Sequence, residues 1–394
     1  MAFFSQYAGG TDTYRLKLKN GPYLDEVVPS SSNHHIRDFT AQNDHLMISM
    51  TNGKVYVAER NNELLECLPN NADLFSNPSN YDLLIGGDPF VSDVMKLTSA
   101  IAYFNNTTTD AIRNSSYGPT HRTIYYTPSS PITVSSSNNS STSTLTNSIR
   151  RFMYAGGELF YFYWSASTGE LKVFEVNHVT GLWSIVDLDS VTTTFAPVAG
   201  ATTIDFSGIV GCTYPEIDHR SGNIIMFFAA TVEGFKLEYN INSGLWSCGG
   251  VNGLEGGEMS TGPSSLAIGT NEMMITSTVS SATKYLSGNT DGLAWLSITN
   301  SNEWNFKECG FANGKFYSIV NEGSGSVGSS YSGVLMSLNS DPSNSAFWQY
   351  ENTPEVPAVK YIRNNGLGTA CYISTGYHSS TNTNQSFHAI KRIT

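Results

Sequence analysis

The stretch 33–45, NHHIRDFTAQNDH, gathers five metal-ligating side chains in this 394-residue sequence. These imidazoles and carboxylates belong to His34, His35, Asp38, Asp44 and His45. Two histidines and one aspartate would suit zinc or manganese. Adjacent residues of a strand point to opposite faces, however, so the two neighbouring histidines cannot easily converge on one ion. We interpret the stretch as polar strand and turn residues and predict no metal site.

A second candidate for chemistry is EIDHR at 216–220, where Asp218, His219 and Arg220 are consecutive. Catalysis by an Asp–His pair needs a nucleophile, and the sequence contains no GxSxG or comparable serine context. The glycine-rich stretch 323–330, GSGSVGSS, lacks the lysine and the strand–helix setting of a phosphate-binding loop. We therefore expect a hairpin turn at 216–220, no catalytic residue and no cofactor.

Chemistry suited to binding occurs in NSSYGPTHRTIYY, residues 114–126. The candidate partner-binding residues are Tyr117, His121, Arg122, Tyr125 and Tyr126. Rigid aromatic rings beside a cation and small hydroxyls suit recognition of sugars or of a flat protein surface. An alternative is that 124–126 is simply a strand of the fold. The following segment, 127–148, is rich in Ser, Thr and Asn and cannot build a core, so we predict a long exposed loop.

Composition points to an all-β protein. Charged residues make up only 14% of the chain, below the roughly 25% that is typical of soluble proteins. The abundant residues are instead Ser, Thr, Asn, Gly and the aromatics, which favour strands and turns over helices. The net charge of −12, without a basic cluster, argues against nucleic acid as a partner.

Cysteine usage and the N-terminal residues bear on where the protein works. Residues 1–18 lack the basic start and apolar core of an export signal, and no apolar run approaches the ~18 residues of a membrane span. Five cysteines form no CxxC pair and are odd in number, which favours buried thiols in a reducing cytosol. A surface composition typical of proteins outside cells, without an export signal, predicts a virion component made in the host cytoplasm and not inserted in a membrane.

An internal repeat must position these side chains. FEVNHVTGLWS (174–184) and LEYNINSGLWS (237–247) share Glu, Asn, Gly, Leu, Trp and Ser at a constant offset of 63 residues. Turn glycines followed by apolar runs recur near 53, 157, 222, 269, 314 and 366, and the run 98–106 marks a further copy. Such units predict one closed β-propeller over 1–394, with about seven four-stranded blades. Six and eight blades are the alternatives.

The repeat also assigns places to individual segments. The continuous apolar runs LFYFYW (159–164) and IIMFFAA (224–230) are predicted as the innermost strands of their blades. Trp183, Trp246, Trp295 and Trp348 recur at a similar spacing and are predicted to fill the wedges between adjacent blades. Asp88 followed by Pro89 is typical of a helix start, so a short helix near 88–100 is predicted, with a strand as the alternative.

Two short motifs resemble known propeller families. NTDGLAWLS (289–297), followed by ANGKFYSIV (312–320), resembles the Asp-box (BNR) units of sialidase-like propellers, which occur in bacterial surface and phage tail proteins. Asn289 replaces the usual serine, whereas Asp291, Gly292 and Trp295 match. The resemblance implies that the aspartate braces a turn and is not catalytic. The GLWS units resemble kelch repeats, although a Gly-Gly doublet is clear only at 156–157.

The predicted function is that of a non-enzymatic virion protein. Sialidase activity would require an arginine cluster and a tyrosine nucleophile, and the sequence lacks the Arg-Ile-Pro start motif of those enzymes. We therefore expect a structural component of a phage tail or tail tip, acting in assembly or host-surface recognition. Its expected partners are other virion proteins in a multi-copy assembly and a host surface glycan or protein. The alternatives are a sialidase-like glycan hydrolase and a kelch-like interaction scaffold.

Overall fold

The computed structural model describes the strands of the chain and many of the turns between them. The described residues are 19–20, 36–42, 45–50, 55–58, 64–67, 81–87, 100–106, 111–117, 124–125, 132–133, 148–166, 168–176, 183–193, 206, 208–231, 233–254, 259, 263–277, 283–286, 295–297, 305–312, 314–321, 334–338, 348–350, 359–376 and 388–393. Within these ranges the structure is all-β, and the helical content is one 3-10 turn, Leu188–Ser190. None of the described helical residues could form a membrane span.

The strands group into antiparallel units, which we number in chain order. Unit 1 is β2 (Ile36–Gln42), β3 (His45–Met50), β4 (Val55–Ala58) and β5 (Leu64–Cys67). Unit 2 is β6 (Tyr81–Gly87), β7 (Ala100–Asn106) and β8 (Ala111–Tyr117), with β9 (Ile124–Tyr125) and β10 (Ile132–Thr133) both paired to β8. Unit 3 is β11 (Ser148–Ala155), β12 (Glu158–Ser165), β13 (Glu170–Val176) and β14 (Trp183–Ile185).

Units 4 and 5 share one ten-stranded sheet, because β16 pairs with β21 in parallel. Unit 4 is β16 (Gly211–Thr213), β17 (Glu216–Ile217), β18 (Ile224–Ala229), β19 (Gly234–Asn240) and β20 (Leu245–Val251), with β15 (Thr192–Thr193) parallel to β20. Unit 5 is β21 (Pro263–Ile268), β22 (Met273–Ser277), β23 (Thr283–Leu286) and β24 (Leu296–Ser297).

The last two units complete the set among the described residues. Unit 6 is β25 (Asn305–Ala312), β26 (Lys315–Asn321), β27 (Val334–Leu338) and β28 (Trp348–Tyr350). Unit 7 is β29 (Val359–Asn364), β30 (Cys371–Gly376) and β31 (His388–Ile393), and its fourth strand is β1 (Lys19–Asn20) from the other end of the sequence.

The units contact one another in a closed cycle, which is the arrangement of a β-propeller. First strands touch from unit to unit, as β2 does with β6, β21 with β25 and β25 with β29. Unit 7 then meets unit 1 through contacts of β2 with β29 and β30. The all-β propeller fold is therefore confirmed, and the first strands line its axis. The blade count of about seven stays a prediction.

The second strand of each central unit lies between two neighbouring units and is buried on both faces. All six residues of β18 are buried, and they alternate between two interfaces. Met226 and Phe228 pack toward unit 3, whereas Ile225 and Phe227 pack toward unit 5. The prediction that the runs in β12 and β18 are innermost strands is wrong. These strands are apolar on both faces because sheets cover them on both sides, whereas the first strands also face the axis.

Two of the predicted wedge tryptophans have described side chains, and both lie between units. Trp246 of unit 4 packs against Phe160 and Phe162 of unit 3, with ring centroids 5.2 Å and 5.9 Å apart. Trp295 of unit 5 packs edge-on to Phe227 of unit 4 at 4.9 Å. The side chains of 183 and 348 lie outside the described residues, although both positions begin the outermost strand of their units.

The repeated sequence is a repeated hairpin in the same register. Glu175 pairs with Ser184 in unit 3, and Glu238 pairs with Ser247 in unit 4. The marked glycines at 157, 222, 269, 314 and 366 all fall between the first and second strands of units 3 to 7. The glycine at 53 breaks this phase, because it falls between the second and third strands of unit 1.

Two predicted segments lie largely outside the described residues. The predicted helix near 88–100 falls on positions that the structure does not describe, except that Ala100 begins β7. The predicted loop 127–148 contains β10, and its last residue begins β11. The remainder of that loop is outside the described residues and stays a prediction.

Replacing Trp246 with alanine should lower the free energy of unfolding by about 3 kcal/mol, because the indole fills the wedge between units 3 and 4. Urea denaturation followed by circular dichroism measures this loss. The matched control is Leu245→Ala, whose neighbouring side chain is 65% exposed and should change the free energy by no more than about 0.5 kcal/mol. Equal losses in the two variants would contradict the wedge role.

Candidate functional site

Charged side chains of four units converge where the first strands approach the axis. We call this group the axial cluster, and its members are Arg151 of β11, Glu216 of β17, Glu308 of β25, and Arg363 and Asn364 of β29. Each residue comes from the first strand of its unit. The propeller therefore assembles a site from residues that are far apart in the sequence.

Sequence reasoning missed this cluster, although a signal was present. Arg151, Glu216 and Glu308 each precede the turn glycine of their own unit by six residues. A charged residue at one fixed place in a repeat reaches an equivalent place in each blade. Aligning the repeats on their turn glycines places these three residues at equivalent positions in their blades. Equivalent positions of first strands lie at the same height along the axis.

An ion pair fixes one side of the axial cluster. Arg363 Nη1 lies 2.8 Å from Glu308 Oε2, and both side chains are mostly buried. The same carboxylate oxygen accepts a hydrogen bond from the Ile362 amide at 2.8 Å. Arg363 Nη1 also donates to the Ile362 carbonyl at 2.8 Å. These bonds tie β25 to β29 and hold the Glu308 carboxylate in one position.

The opposite side of the cluster is built around Glu216. Asn364 hydrogen-bonds to the Glu216 carboxyl group, and its Oδ1 accepts from the Phe311 amide at 3.1 Å. The guanidinium carbon of Arg151 lies 4.5 Å from the centre of the Tyr214 ring, a cation–π contact. Glu216 thus lies between a polar amide and a cation that is itself held by an aromatic ring.

Burial raises the pKa of Glu216 to about 7, against the opposing effects of Arg151, Asn364 and Arg363. The nearby Glu308 carboxylate raises it further. A carboxyl group with such a pKa exchanges protons near neutral pH, which is the property that a general acid or base requires. Neither a metal-binding group of three ligands nor a reactive thiol accompanies it among the described residues. Burial raises the pKa of all four described cysteine thiols, which are 212, 248, 309 and 371.

The EIDHR stretch forms the expected hairpin turn between β17 and β18. Asp218 makes two 2.7 Å bonds to Arg220, through Nε and Nη2. Burial opposes ionisation of Asp218, but these bonds outweigh it and lower its pKa. The His219 ring stacks on Phe311 at 5.9 Å, and burial lowers its pKa. Aspartate and histidine are therefore committed to different partners and do not form a catalytic pair.

The turn of unit 7 closes over this histidine. Gly368 has a φ of +66°, and a Cβ atom added there would lie 2.5 Å from the imidazole carbons of His219. A Cβ atom added at Gly366 would make only an ordinary van der Waals contact with Ile217, at 3.4 Å. The turn itself is fixed by Asn365, which accepts from the Leu367 amide at 3.0 Å. A glycine is needed at 368 for the close approach of units 4 and 7.

The predicted partner-binding residues lie in unit 2, away from the axial cluster in the sequence. Tyr117 ends β8 and pairs with Ile124, and Tyr125 belongs to β9 and pairs with Ser116. The positions 121, 122 and 126 lie outside the described residues, as do the side chains of the two tyrosines. The role of these five residues in binding stays a prediction. The histidines and aspartates of 33–45 likewise have no described side chains.

Comparison with known proteins supports the fold alone. No protein-family model and no curated protein matches the sequence. Among solved structures, a prolyl endopeptidase aligns with a TM-score of 0.52 and 8% identity, over 92% of this chain and 47% of its own. YCF48 from Cyanidioschyzon merolae aligns with a TM-score of 0.50 and 12% identity, over 95% and 98% of the two chains. The Dos1 propeller aligns with a TM-score of 0.47 and 8% identity, over 92% of this chain and 78% of its own. This chain thus spans about half the length of the endopeptidase. Sialidase-like or kelch-like character is not shown.

Replacing Gly368 with alanine should destabilise the protein by about 1–3 kcal/mol more than replacing Gly157, as judged by thermal unfolding. Both glycines have positive φ, so both variants carry backbone strain. Only at 368 does the new methyl group meet another side chain, because nothing lies within 4 Å of a Cβ at 157. Equal destabilisation would show that units 4 and 7 do not press together at this point.

Proposed function

We propose that this propeller is a non-enzymatic structural protein of a virion, a component of a phage tail or tail tip. The observation that carries the proposal is that charged side chains at the axis are used to hold the ring together. Glu308 of unit 6 bonds to Arg363 of unit 7, and Asn364 of unit 7 accepts a hydrogen bond from the Phe311 amide of unit 6. Groups that bond to each other in this way brace a scaffold and are not available to a substrate.

The thiols and the composition support the same proposal. The four described cysteines are free and buried, in agreement with folding in a reducing cytoplasm. The weakly charged sequence rich in Ser, Thr, Asn and Gly suits a surface that works outside a cell. Its proposed partners are other virion proteins in a multi-copy assembly, and a glycan or protein of the host surface. The proposed contact for the host is the stretch 114–126, since loops on a rigid propeller carry binding residues.

One observation favours a second candidate, a glycan hydrolase. Glycoside hydrolysis uses two carboxyl groups, one of which has a raised pKa and acts as the acid. Glu216, with a pKa of about 7, and Glu308 influence each other in the axial cluster. The ion pair of Glu308 with Arg363 counts against this role, because the second carboxylate must approach the sugar. The scaffold role is therefore preferred.

Immunogold electron microscopy tests the proposed location. Antibodies against the purified protein should label the tails of particles collected from the lysate in which the protein is produced. The same protein should release no chromophore from a panel of aryl glycosides, and Glu216→Gln should not alter that result. Antigen found only in the soluble fraction would reject the virion role. Turnover that is lost in Glu216→Gln would establish the hydrolase.

The binding stretch can be tested separately on an array of bacterial surface glycans. Replacing His121 and Arg122 with alanine should weaken binding at least about tenfold, because a cation and a ring would be removed. Deletion of 129–147 is the matched control and should leave binding and the melting temperature nearly unchanged. Unaltered binding in the double variant would place the contact elsewhere. Loss of binding in the deletion alone would assign it to the Ser/Thr-rich segment.

A further inference from the structure

The outermost strand of unit 3 is a sheet edge that carries an exposed apolar residue. Strand β14 ends its sheet and, among the described strands, pairs with β13 alone. Ile185 on this strand is 60% exposed. Proteins normally cover such edges or place charges on them, because an open apolar edge recruits further strands. The edge of β14 is therefore ready to accept another strand.

The internal repeat shows how the equivalent edge of unit 4 is covered. Ile185 corresponds to Cys248 at the repeat offset of 63 residues. Cys248 is only 1% exposed, and β15 pairs with its strand in parallel, with Thr193 opposite Cys248. Leu188, in the connection that leads to β15, packs in the same apolar cluster as Cys248. The chain itself thus covers such an edge by adding a parallel strand.

The rows of paired residues that cross the two units show the same difference. Directly paired residues of neighbouring strands lie on one face of a sheet. In unit 4 the row has four members, which are Met226, Leu237, Cys248 and Thr193. In unit 3 the equivalent row ends, among the described residues, after three members, which are Tyr161, Phe174 and Ile185. The place beside Ile185 is the one that Thr193 takes in unit 4.

The backbone of β14 presents bonding groups at this edge. The Val186 amide donates to the Val173 carbonyl at 2.8 Å. Hydrogen-bonded and non-hydrogen-bonded pairs alternate along an antiparallel ladder. The amide and the carbonyl of Ile185, which belongs to the next pair, therefore point away from β13 and toward the edge. An added strand finds one donor and one acceptor there, beside an exposed apolar side chain.

The charge around the edge decides which kind of strand fits it. Residues 179–199 contain two carboxylates, Asp187 and Asp189, and no lysine or arginine. Both aspartates are exposed, and so is Glu175 on the neighbouring β13. A second copy of this chain would bring the same acidic edge, and like charges disfavour that pairing. A segment that carries basic residues is attracted instead.

We propose that the β14 edge binds an extended basic segment of a partner protein, which adds to unit 3 as a parallel strand. An apolar or β-branched residue of the segment lies beside Ile185, at the place that Thr193 takes beside Cys248 in unit 4. A flanking lysine or arginine faces the carboxylates of Asp187 and Asp189. Backbone hydrogen bonds supply the affinity of such a contact, and the side chains supply its specificity. This surface involves none of the residues of the stretch 114–126.

Binding of synthetic peptides to the purified full chain tests the proposal, with fluorescence anisotropy as the measurement. The probe is the sequence SVTTT of residues 190–194 with a lysine at each end, because these residues include the added strand of unit 4. It should bind with a Kd below about 1 mM. The same peptide flanked by glutamates should bind at least about tenfold more weakly. A lysine-flanked peptide that is N-methylated at its threonine amides should not bind, because it cannot add as a strand.

A matched pair of protein variants locates the contact. Ile185→Lys should weaken binding of the lysine-flanked probe at least about tenfold, because it removes the apolar contact and adds a like charge to the edge. Leu245→Lys is the control, since Leu245 is 65% exposed and its strand β20 already carries β15. This variant should bind the probe as the wild type does. Both variants should keep the melting temperature of the wild type, because neither side chain is buried.

Several results would overturn the proposal. Binding of the lysine-flanked probe that does not saturate by about 2 mM would do so, and so would equal binding of the N-methylated peptide. Unaltered binding in Ile185→Lys, or an equal loss in Leu245→Lys, would place the contact elsewhere. If Ile185→Lys fails to fold, the peptide series on the wild type decides.

Two further measurements distinguish the other occupants of the edge. Slow hydrogen exchange of the Ile185 amide in the protein alone would show that another segment of the same chain already covers β14. Concentration-dependent dimerisation in analytical ultracentrifugation that is lost in Ile185→Lys would identify a second copy as the occupant. Either result would reject a basic partner at this edge. The proposal expects fast exchange of this amide and no dimer that depends on Ile185.

Discussion

Burial of both faces of the second strands is the interaction on which the remaining structure depends. A single blade cannot cover its own sheet, so each one is stable only while its neighbours stay in place. In β18 this is visible residue by residue, since successive side chains enter opposite interfaces. The rings of Trp246 and Trp295 fill the widening space farther from the axis. The stability of each blade therefore depends on its neighbours, and a substitution that loosens one interface also destabilises the adjacent blades.

Near the axis, polar and charged side chains make the contacts between blades that apolar side chains make farther out. Sheets that radiate from an axis crowd together there, and the first strands present polar groups to one another. Glu308 and Arg363 satisfy each other, and Asn364 joins Phe311 to Glu216. For Glu216, burial outweighs the attraction of Arg151 and Arg363 and raises the pKa of its carboxyl group. Its altered acidity is thus a result of ring packing and by itself says nothing about catalysis.

The sequence was informative where the repeat is local. The turn glycines and the tryptophans indicated the strand order and the wedges, because a positive φ and a large buried ring each demand particular residues. The glycine pattern misplaced Gly53, which lies between the second and third strands of its unit. The apolar runs were assigned to the axis, because a continuous apolar run indicates that a strand is buried but not how far it lies from the axis. The axial cluster was not predicted at all. Its members are brought together by ring closure, and no local pattern records which blades will face each other.

Strand β1 completes unit 7 by pairing Lys19 with Arg392. These two positions are separated by nearly the whole sequence, so their meeting has a very high contact order. Loop-closure entropy delays such contacts, and they should form last during folding. Until then β31 presents an unpaired edge and the outer faces of units 1 and 7 are uncovered, a state that is prone to aggregation. The slow step in the biogenesis of this protein is therefore expected to be the joining of its first strand to its last, and chaperones that shield open sheets would act at that stage.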